Sequence, residues 1–458
     1  MMRSPRTLAG VLLFTLAACS DTEEFAPPAP QQVLPLATCN RTWQPTGSLA
    51  EERYLATATR LPSGTVIVAG GWGNNGLAAG AERYDPATGT WSAAGTLNIP
   101  RYWHRAVALN DGRVLVVGGF DSLGSTATAE IYNPATNSWS LAASMSTDRY
   151  APQLTGLADG RVLASGGIGG GSPALATAEI YNPATNTWSP TGSMTSGRFL
   201  AVAALIDDGK VLVAGGHNGA DYQSSAELFN PSTGTWSAAP SMATTRYAAS
   251  AVVLANGKVL VTGGSPDLPG AELFDPLTGT WSLTGNMALV PRFFSETIRL
   301  ADGRVVVAGG TSTDGPVDGA EIFDPLTAEW SPITSMSTPR YLAASAELLD
   351  GRVLVAGGSG TAGLTNSAET YGACPRPACA NSWVATGNMA QERHLATATR
   401  LTDGTVLAAG GAGSAGPTAS AERYNPATGI WSAAGTMSAP RFGHRAVRLQ
   451  DGDRKSVV

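Results

Sequence analysis

Residues 101–139 read RYWHRAVALNDGRVLVVGGFDSLGSTATAEIYNPATNSW, and nearly all of the 458-residue chain is this unit repeated. Five landmarks recur in fixed order: an Arg followed by an aromatic ring, an Asp-Gly or Asn-Gly turn, an apolar run ending in Gly-Gly, an Ala-Glu-x-Tyr/Phe, and a Trp. The opening arginines are Arg53, Arg101, Arg149, Arg198, Arg246, Arg292, Arg340 and Arg393, and the first glycine of the pair follows each of them by 17 positions. A period near 48 residues that never slips in this segment means tandem supersecondary units.

Each unit divides into four short antiparallel strands. The first follows the Arg and ends at Asp111-Gly112, a two-residue type I′ hairpin signal. The second, Val114 to Val117, is apolar throughout and so is covered on both faces. The third carries Glu130 and Tyr132. An Asn-Pro-Ala-Thr-Asn turn leads to the fourth, with Trp139. Gly118-Gly119 is expected to leave bare backbone for a ring, and Trp139 is the natural ring. Four-stranded sheets buried on both faces and repeated radially make a β-propeller, so the fold class is all-β.

At these residues the chain resembles the kelch family, whose repeat is marked by the double glycine and by a Tyr and a Trp at about these separations. The resemblance runs from about Trp43 to the C-terminus and implies a propeller without implying one function. Trp43 has no Gly-Gly before it, so a lone fourth strand comes first. Six complete units follow, with Trp91, Trp139, Trp188, Trp236, Trp281 and Trp330. A seventh opens at Arg340, reaches Glu369 and Tyr371, and then loses its Asn/Asp-Pro turn to Gly-Ala-Cys-Pro-Arg-Pro-Ala-Cys. The strand bearing Trp43 is expected to complete this seventh blade and close a seven-bladed ring over residues 39–373. Cys39 and Cys374 fall at the same place in the blade, the turn between third and fourth strands. A disulfide between them would replace the missing covalent turn, worth roughly 5 kcal/mol on a chain-entropy estimate; the alternative is two free thiols.

The N-terminus reads as an address. Two arginines in residues 1–6, an apolar Leu8 to Ala17 and Leu16-Ala17-Ala18-Cys19 look like a bacterial lipoprotein signal over residues 1–18, with Cys19 as the acylated residue. An ordinary secretory signal with an incidental Cys is the alternative. Ser20, in place of Asp, favours the outer membrane. Residues 19–38, acidic and then Pro-rich, form a tether. The expected location is the cell envelope, with the membrane reached through the lipid anchor only. Residues 374–458 repeat the start of the first ring, ERHLATATRL echoing ERYLATATRL, and read as the beginning of a second propeller cut short. Asp453 to Val458 matches one reading frame of a common sequencing adapter and is expected to be non-native.

A net charge of −6, 14% charged residues and no basic cluster argue against a nucleic-acid partner. The once-per-blade Arg, Glu and Arg-following aromatics are read as scaffold. Function is expected where the repeat departs from itself, in the segments between Gly-Gly and Glu. There Trp72, Asn74 and Asn75, Phe120 and Asp121, and His217, Asn218, Asp221 and Tyr222 place rings beside amides and carboxylates, suited to a glycan or to an extracellular or envelope protein. Ordinary polar loops are the alternative.

The first strand should line the central channel, where Trp103, His104, Arg105, Gln153 and Glu296 are candidates for a site at its mouth. No HExxH, GxSxG, phosphate-binding or calcium loop is present, and no metal or cofactor is implied. Galactose oxidase is a kelch-like propeller, but its copper site needs two His, two Tyr and a Cys crosslinked to Tyr. The cysteines of this chain lie in blade turns or the signal. Beside the binding-module reading stand a carbohydrate mutarotase or epimerase, marked by an acid and a base converging in the channel such as Glu296 with His104, and a purely architectural envelope protein.

Overall fold

The structure, a computed structural model, describes residues 42–372 apart from 266–269 and 289–290, and 388–457 apart from 395, 402–404, 426–427, 429, 442–444 and 449–453. Cys19, Cys39 and Cys374, and with them the expected signal, tether and disulfide, lie outside the described residues.

The repeat folds as its landmarks require. In the unit quoted above the strands are Arg105–Ala108, Val114–Val117, Ala129–Asn133 and Ser138–Ala142, paired antiparallel in that order. The all-buried second strand splits its side chains between two neighbours, as a period of two dictates. Val114 and Val116 pack with Ile67, Ala69 and Ala81 of the preceding sheet, while Leu115 and Val117 pack with Val162 and Ala164 of the following one. Each such side chain contributes about 1.5–3 kcal/mol by burial, and every sheet therefore depends on both of its neighbours.

Seven four-stranded sheets lie between Trp43 and Tyr371, and the seventh is spliced from both ends of that span. Ala344–Glu347, Val353–Ala356 and Ala368–Tyr371 supply three strands, and Trp43–Thr46 pairs with the last in the register Trp43↔Tyr371 to Thr46↔Ala368. The Trp43 and Tyr371 rings lie 5.3 Å apart, and Asn366 Nδ2 donates to Leu49 O across 317 positions of sequence. Val66 and Val68 of the first sheet pack with Leu354 and Ala356 of the seventh. An eighth sheet, Thr397–Arg400, Val406–Ala409, Ser420–Asn425 and Ile430–Thr436, repeats the pattern. Beyond it Arg445–Arg448 pairs with Arg454–Val457, so the segment with the anomalous composition takes the backbone course of a second strand.

One arrangement of hydrogen bonds joins every blade to the next. The Arg101 guanidinium donates to Gly118 O at 2.9 Å and Thr128 O at 2.8 Å, and pairs with Glu130 at 3.1 Å; neither charged side chain has any exposure. Glu130 in turn accepts from the backbone N–H groups of Asn98 and Ile99, in the segment that enters the blade. The same Arg offers its own carbonyl to the previous blade. Gly71 N donates to Arg101 O, Gly119 N to Arg149 O, Gly167 N to Arg198 O, Gly216 N to Arg246 O, Gly264 N to Arg292 O and Gly310 N to Arg340 O. Gly358 N donates to Arg53 O at 2.8 Å, which returns the series to its start and closes the ring.

Two local expectations are corrected. The double glycine does not receive the Trp ring. Gly118 and Gly119 sit at φ 62° and 101°, and side chains there would meet Arg149 O of the next blade and, at 2.7 Å, Tyr102 O. Both are glycines because backbone passes against backbone at positive φ. Trp139 instead tilts against Tyr132, with centroids 5.2 Å apart, and donates from Nε1 to Ala94 O of the preceding blade at 2.9 Å. The Asp-Gly hairpin is likewise not a two-residue turn. Leu109 N bonds Arg113 O and Gly112 N bonds Leu109 O, leaving Asn110, Asp111 and Gly112 in the loop. Only Gly112 has positive φ, at 86°, as in a type I turn closed by a glycine bulge. Asp111 accepts from Arg113 N, and its other oxygen pairs with the Arg113 guanidinium.

Because the Arg–Glu pair is wholly buried, removing one partner strands the other. Arg101→Met is expected to lower the unfolding free energy by about 3–5 kcal/mol, measured by urea denaturation of the full chain. A loss below 1 kcal/mol would mean that the pair does not carry the blade entrance.

Candidate functional site

Strand pairing puts the Gly-Gly-to-Glu segments, the blade entrances and the start of each first strand on one face. The segments stand there as small hairpins: Trp72–Gly73 pairs with Gly76–Leu77, and Phe120–Asp121 with Gly124–Ser125. Each hairpin is tied to the aromatic residue after its blade's Arg, through the bridges Tyr54↔Trp72, Tyr102↔Phe120, Tyr150↔Ile168, Phe199↔His217, Phe293↔Thr311 and Tyr341↔Ser359.

The rings so joined form two arcs. In the first, Trp72 meets Tyr102 at 5.3 Å, Tyr102 meets Phe120 at 5.6 Å and Phe120 meets Tyr150 at 5.5 Å. In the second, Phe199 meets His217 at 5.2 Å, His217 meets Tyr222 at 5.2 Å, and Tyr222 lies parallel on Tyr247 at 4.1 Å. Tyr247 then meets Phe293 at 5.0 Å. Trp72 and Tyr222 are the most open of these rings, 38% and 41% exposed. Burial and the Tyr222 hydroxyl push the Tyr247 phenol up to about 12. The aromatics that follow an Arg, read from sequence as scaffold, thus supply Tyr102 and Tyr150 to the first arc and Phe199, Tyr247 and Phe293 to the second while remaining half-buried.

The polar candidates are partly committed to their own loops. Asn74 donates to Glu52; Asp121 accepts from Leu123 N; Asn218 accepts from Ala220 N and Asp221 N; and His217 Nδ1 accepts from Gly219 N. Asn75 and Asp221 are exposed. The seven Gly-Gly-to-Glu segments of the ring contain no Lys or Arg, whereas Asp121, Asp221, Asp267, Asp314 and Asp318 fall within them.

Inside the arcs is the channel mouth. The second residue after each Arg (Leu55, Trp103, Ala151, Leu200, Ala248, Phe294 and Leu342) has φ between 49° and 58°, the left-handed region that costs a non-glycine about 1–3 kcal/mol. Backbone bonds sew part of this rim from blade to blade: Leu55 N to Leu342 O, Ala151 N to Trp103 O, Ala248 N to Leu200 O and Phe294 N to Ala248 O. Below the rim is a cavity of about 220 Å³ whose lining includes Trp103, Arg105, Leu200, Ser250, Phe294 and Glu296. The Trp103 and Phe294 rings face each other edge to face at 6.0 Å.

The channel candidates therefore part company. Trp103, Arg105 and Glu296 line the cavity. His104 does not: it is wholly buried between the first two blades, its Nε2 3.0 Å from Thr57 Oγ1. Burial and the charges of Arg101 and Arg105 press its pKa down to about 3, so it is a neutral packing residue and cannot converge with Glu296 as the isomerase reading required. Gln153 is also buried; its amide donates to Ser165 O at 3.0 Å and accepts from Ala201 N at 3.2 Å, bridging adjacent blades. Glu296 accepts a hydrogen bond from Ser345 Oγ of the next blade. Burial raises its carboxyl to about 7 against the opposing effects of Ser345 and Arg105. Apart from Trp103, the rim residues were not found from sequence, because left-handed backbone is usually announced by Gly or Asn and none stands there. The paired aromatics in Arg101-Tyr102-Trp103 and Arg292-Phe293-Phe294 were the available signal.

Comparison with known proteins agrees with this architecture. Residues 56–264 match the KLHDC2/KLHL20/DRC7 Kelch-repeats domain, and residues 300–337 match the Kelch motif. The chain belongs to the kelch-repeat family. Kelch-repeat domains generally act as protein-interaction modules. No curated protein matches the sequence. Among solved structures, this kelch chain is similar to a novel fungal alcohol oxidase with catalytic diversity among the AA5 family, in complex with copper. That likeness has a TM-score of 0.61 at 19% identity, covers 81% of this chain and 83% of the other, and establishes the fold alone. Among the described residues of this kelch ring no three His, Cys, Asp or Glu side chains cluster, and His104 is sealed between blades.

The raised carboxyl has a definite pH signature. A group ionising near 4.5 when unfolded and near 7 when folded destabilises the fold as pH rises through that window. Glu296→Gln is expected to be more stable than wild type by up to about 3 kcal/mol at pH 8 and equal to it at pH 4. Urea denaturation at both pH values checks this, and taking the difference cancels the titration of His104.

Proposed function

We propose that this kelch propeller is a binding module whose channel-mouth face takes a neutral glycan. The two ring arcs support this reading above all. Rings held at 5–6 Å in a concentric course, the most open of them Trp72 and Tyr222, offer flat apolar surface to the faces of successive sugars. Exposed Asn75 and Asp221 stand at the hairpin tips for hydroxyl groups. The absence of Lys and Arg from the segments, with five Asp in them, disfavours acidic glycans and nucleic acid. A protein partner is the second reading, supported by the general role of kelch domains, and the same charge pattern would favour a neutral or basic surface on it.

The proposal includes attachment to the cell envelope through Cys19, on the strength of Leu16-Ala17-Ala18-Cys19 after an apolar run. The carbohydrate isomerase reading loses support, since its proposed base, His104, is not in the channel.

The test is a glycan array probed with the mature chain. A neutral glycan is expected to bind, and Trp72→Ala and Tyr222→Ala are each expected to weaken it at least tenfold, in line with about 1.5 kcal/mol or more per lost ring contact. Unfolding curves establish that both variants are folded. A folded protein that binds no glycan, or whose binding survives both changes, would overturn the glycan reading and shift weight to a protein ligand.

A further inference from the structure

The channel cavity holds two opposite charges, Arg105 and Glu296, that make no direct ion pair among the described residues. Arg105 and Glu296 rise from the second and sixth blades at equivalent positions, the fourth residue after the repeat Arg, and both line the cavity. The Arg105 guanidinium makes one long contact, Nη1 to His104 O at 3.4 Å, and Glu296 takes one hydroxyl, from Ser345. Elsewhere in the ring the arginines behave differently: every repeat Arg has its Glu at 2.9–3.1 Å and two or more carbonyls. Arg105 and Glu296 also break the repeat, because the same position in the other blades holds Thr57, Gln153, Val202, Ser250 and Ala344. Neither charge is needed to build a blade.

Ser250 and Ser295 line the cavity with the two charges, and the apolar residues gather at its rim. Leu55, Leu200, Ala248, Leu342 and the Trp103–Phe294 ring pair form the rim, so an occupant meets charge below and hydrocarbon above. At about 220 Å³ the cavity is smaller than the roughly 300–1,000 Å³ of sites for drug-sized molecules and suits a metabolite of modest size.

We propose that this cavity binds a free α-amino acid with an apolar side chain. Its carboxylate would take the open guanidinium of Arg105, its ammonium would face Glu296, and its side chain would lie against the rim of Leu200, Trp103 and Phe294. A zwitterion would bring each of the two groups a counter-charge in direct contact. The raised affinity of Glu296 for a proton is consistent with a carboxylate awaiting a cation. This site is independent of the outer ring arcs, so the glycan reading stands or falls separately.

The experiment is isothermal titration calorimetry of the full chain at pH 7.5 with three probes that share the isobutyl side chain: L-leucine, 4-methylpentanoate, which lacks the ammonium, and 3-methylbutylamine, which lacks the carboxylate. L-leucine is expected to bind at least tenfold more tightly than either. Arg105→Gln should abolish the advantage over the amine, and Glu296→Gln the advantage over the carboxylate. Should Arg105→Gln fail to fold, Arg105→Glu paired with Glu296→Arg exchanges the two charges and should retain leucine binding. Equal affinity for all three probes, leucine binding unchanged in folded Arg105→Gln or Glu296→Gln, or no leucine binding at millimolar concentration would overturn the proposal.

Discussion

Everything in this ring hangs on an arginine whose two ends serve two blades. Its guanidinium, pressed into its own sheet, satisfies carbonyls at the end of the second strand and the start of the third and pairs with a buried glutamate. Its carbonyl receives the second glycine N–H of the blade before. Burying such a charge is unfavourable unless it is paired and hydrogen-bonded, and the carbonyls and glutamate that meet its terminal nitrogens explain why the surrounding residues are so uniform, although Nε of Arg53, Arg149, Arg198, Arg292 and Arg340 is buried without a partner. The glycines must be glycines for the backbone to reach the arginine, and the glutamate must be there to hold the arginine and the blade entrance at once. What looks from a distance like a row of catalytic ion pairs is the joinery of the scaffold.

With the scaffold held this tightly, variation is confined to positions that the staple does not touch. The hairpin tips may change in length, the residue after the arginine may be Tyr or Phe, and the rim residue beyond it varies from Ala to Trp. All three positions share the channel-mouth face. The rim backbone is held in a left-handed turn by bonds between blades, so side chains as different as Ala248 and Phe294 leave it in the same direction. Diversity on a fixed frame is the usual condition for a recognition surface.

The sequence made the frame legible for a physical reason: a constraint that acts once per blade is written eight times. Strand order, the apolar second strand and the completion of the seventh sheet by Trp43 could all be read that way. Features that depend on the approach of two elements were read less well. The double glycine was matched to the wrong neighbour, since nothing in Gly118-Gly119 says whether a ring or a carbonyl comes close. His104, beside Trp103 and Arg105, looked like part of the site, yet strand alternation turns it inward against Thr57 while Arg105 faces the channel. The ring arcs alternate contacts within a blade, such as Tyr102 with Phe120, with contacts between blades, such as Phe120 with Tyr150 and Tyr222 with Tyr247, and the latter exist only once neighbouring blades pack together.

That closure has a consequence for how the molecule comes into being. The strand that begins with Trp43 emerges first and finds Tyr371 only after the rest of the span has been made. Until then the Val66 and Val68 flank of the opening blade and the Leu354 and Ala356 flank of the closing one are uncovered hydrocarbon, lacking each other. Contacts so remote in sequence are slow to form, and half-built rings with two sticky ends are the species that associate wrongly. Assembly therefore proceeds as an open crescent with a terminal latch, and the speed with which four residues at its beginning reach its last strand sets how long the crescent is exposed to its own copies.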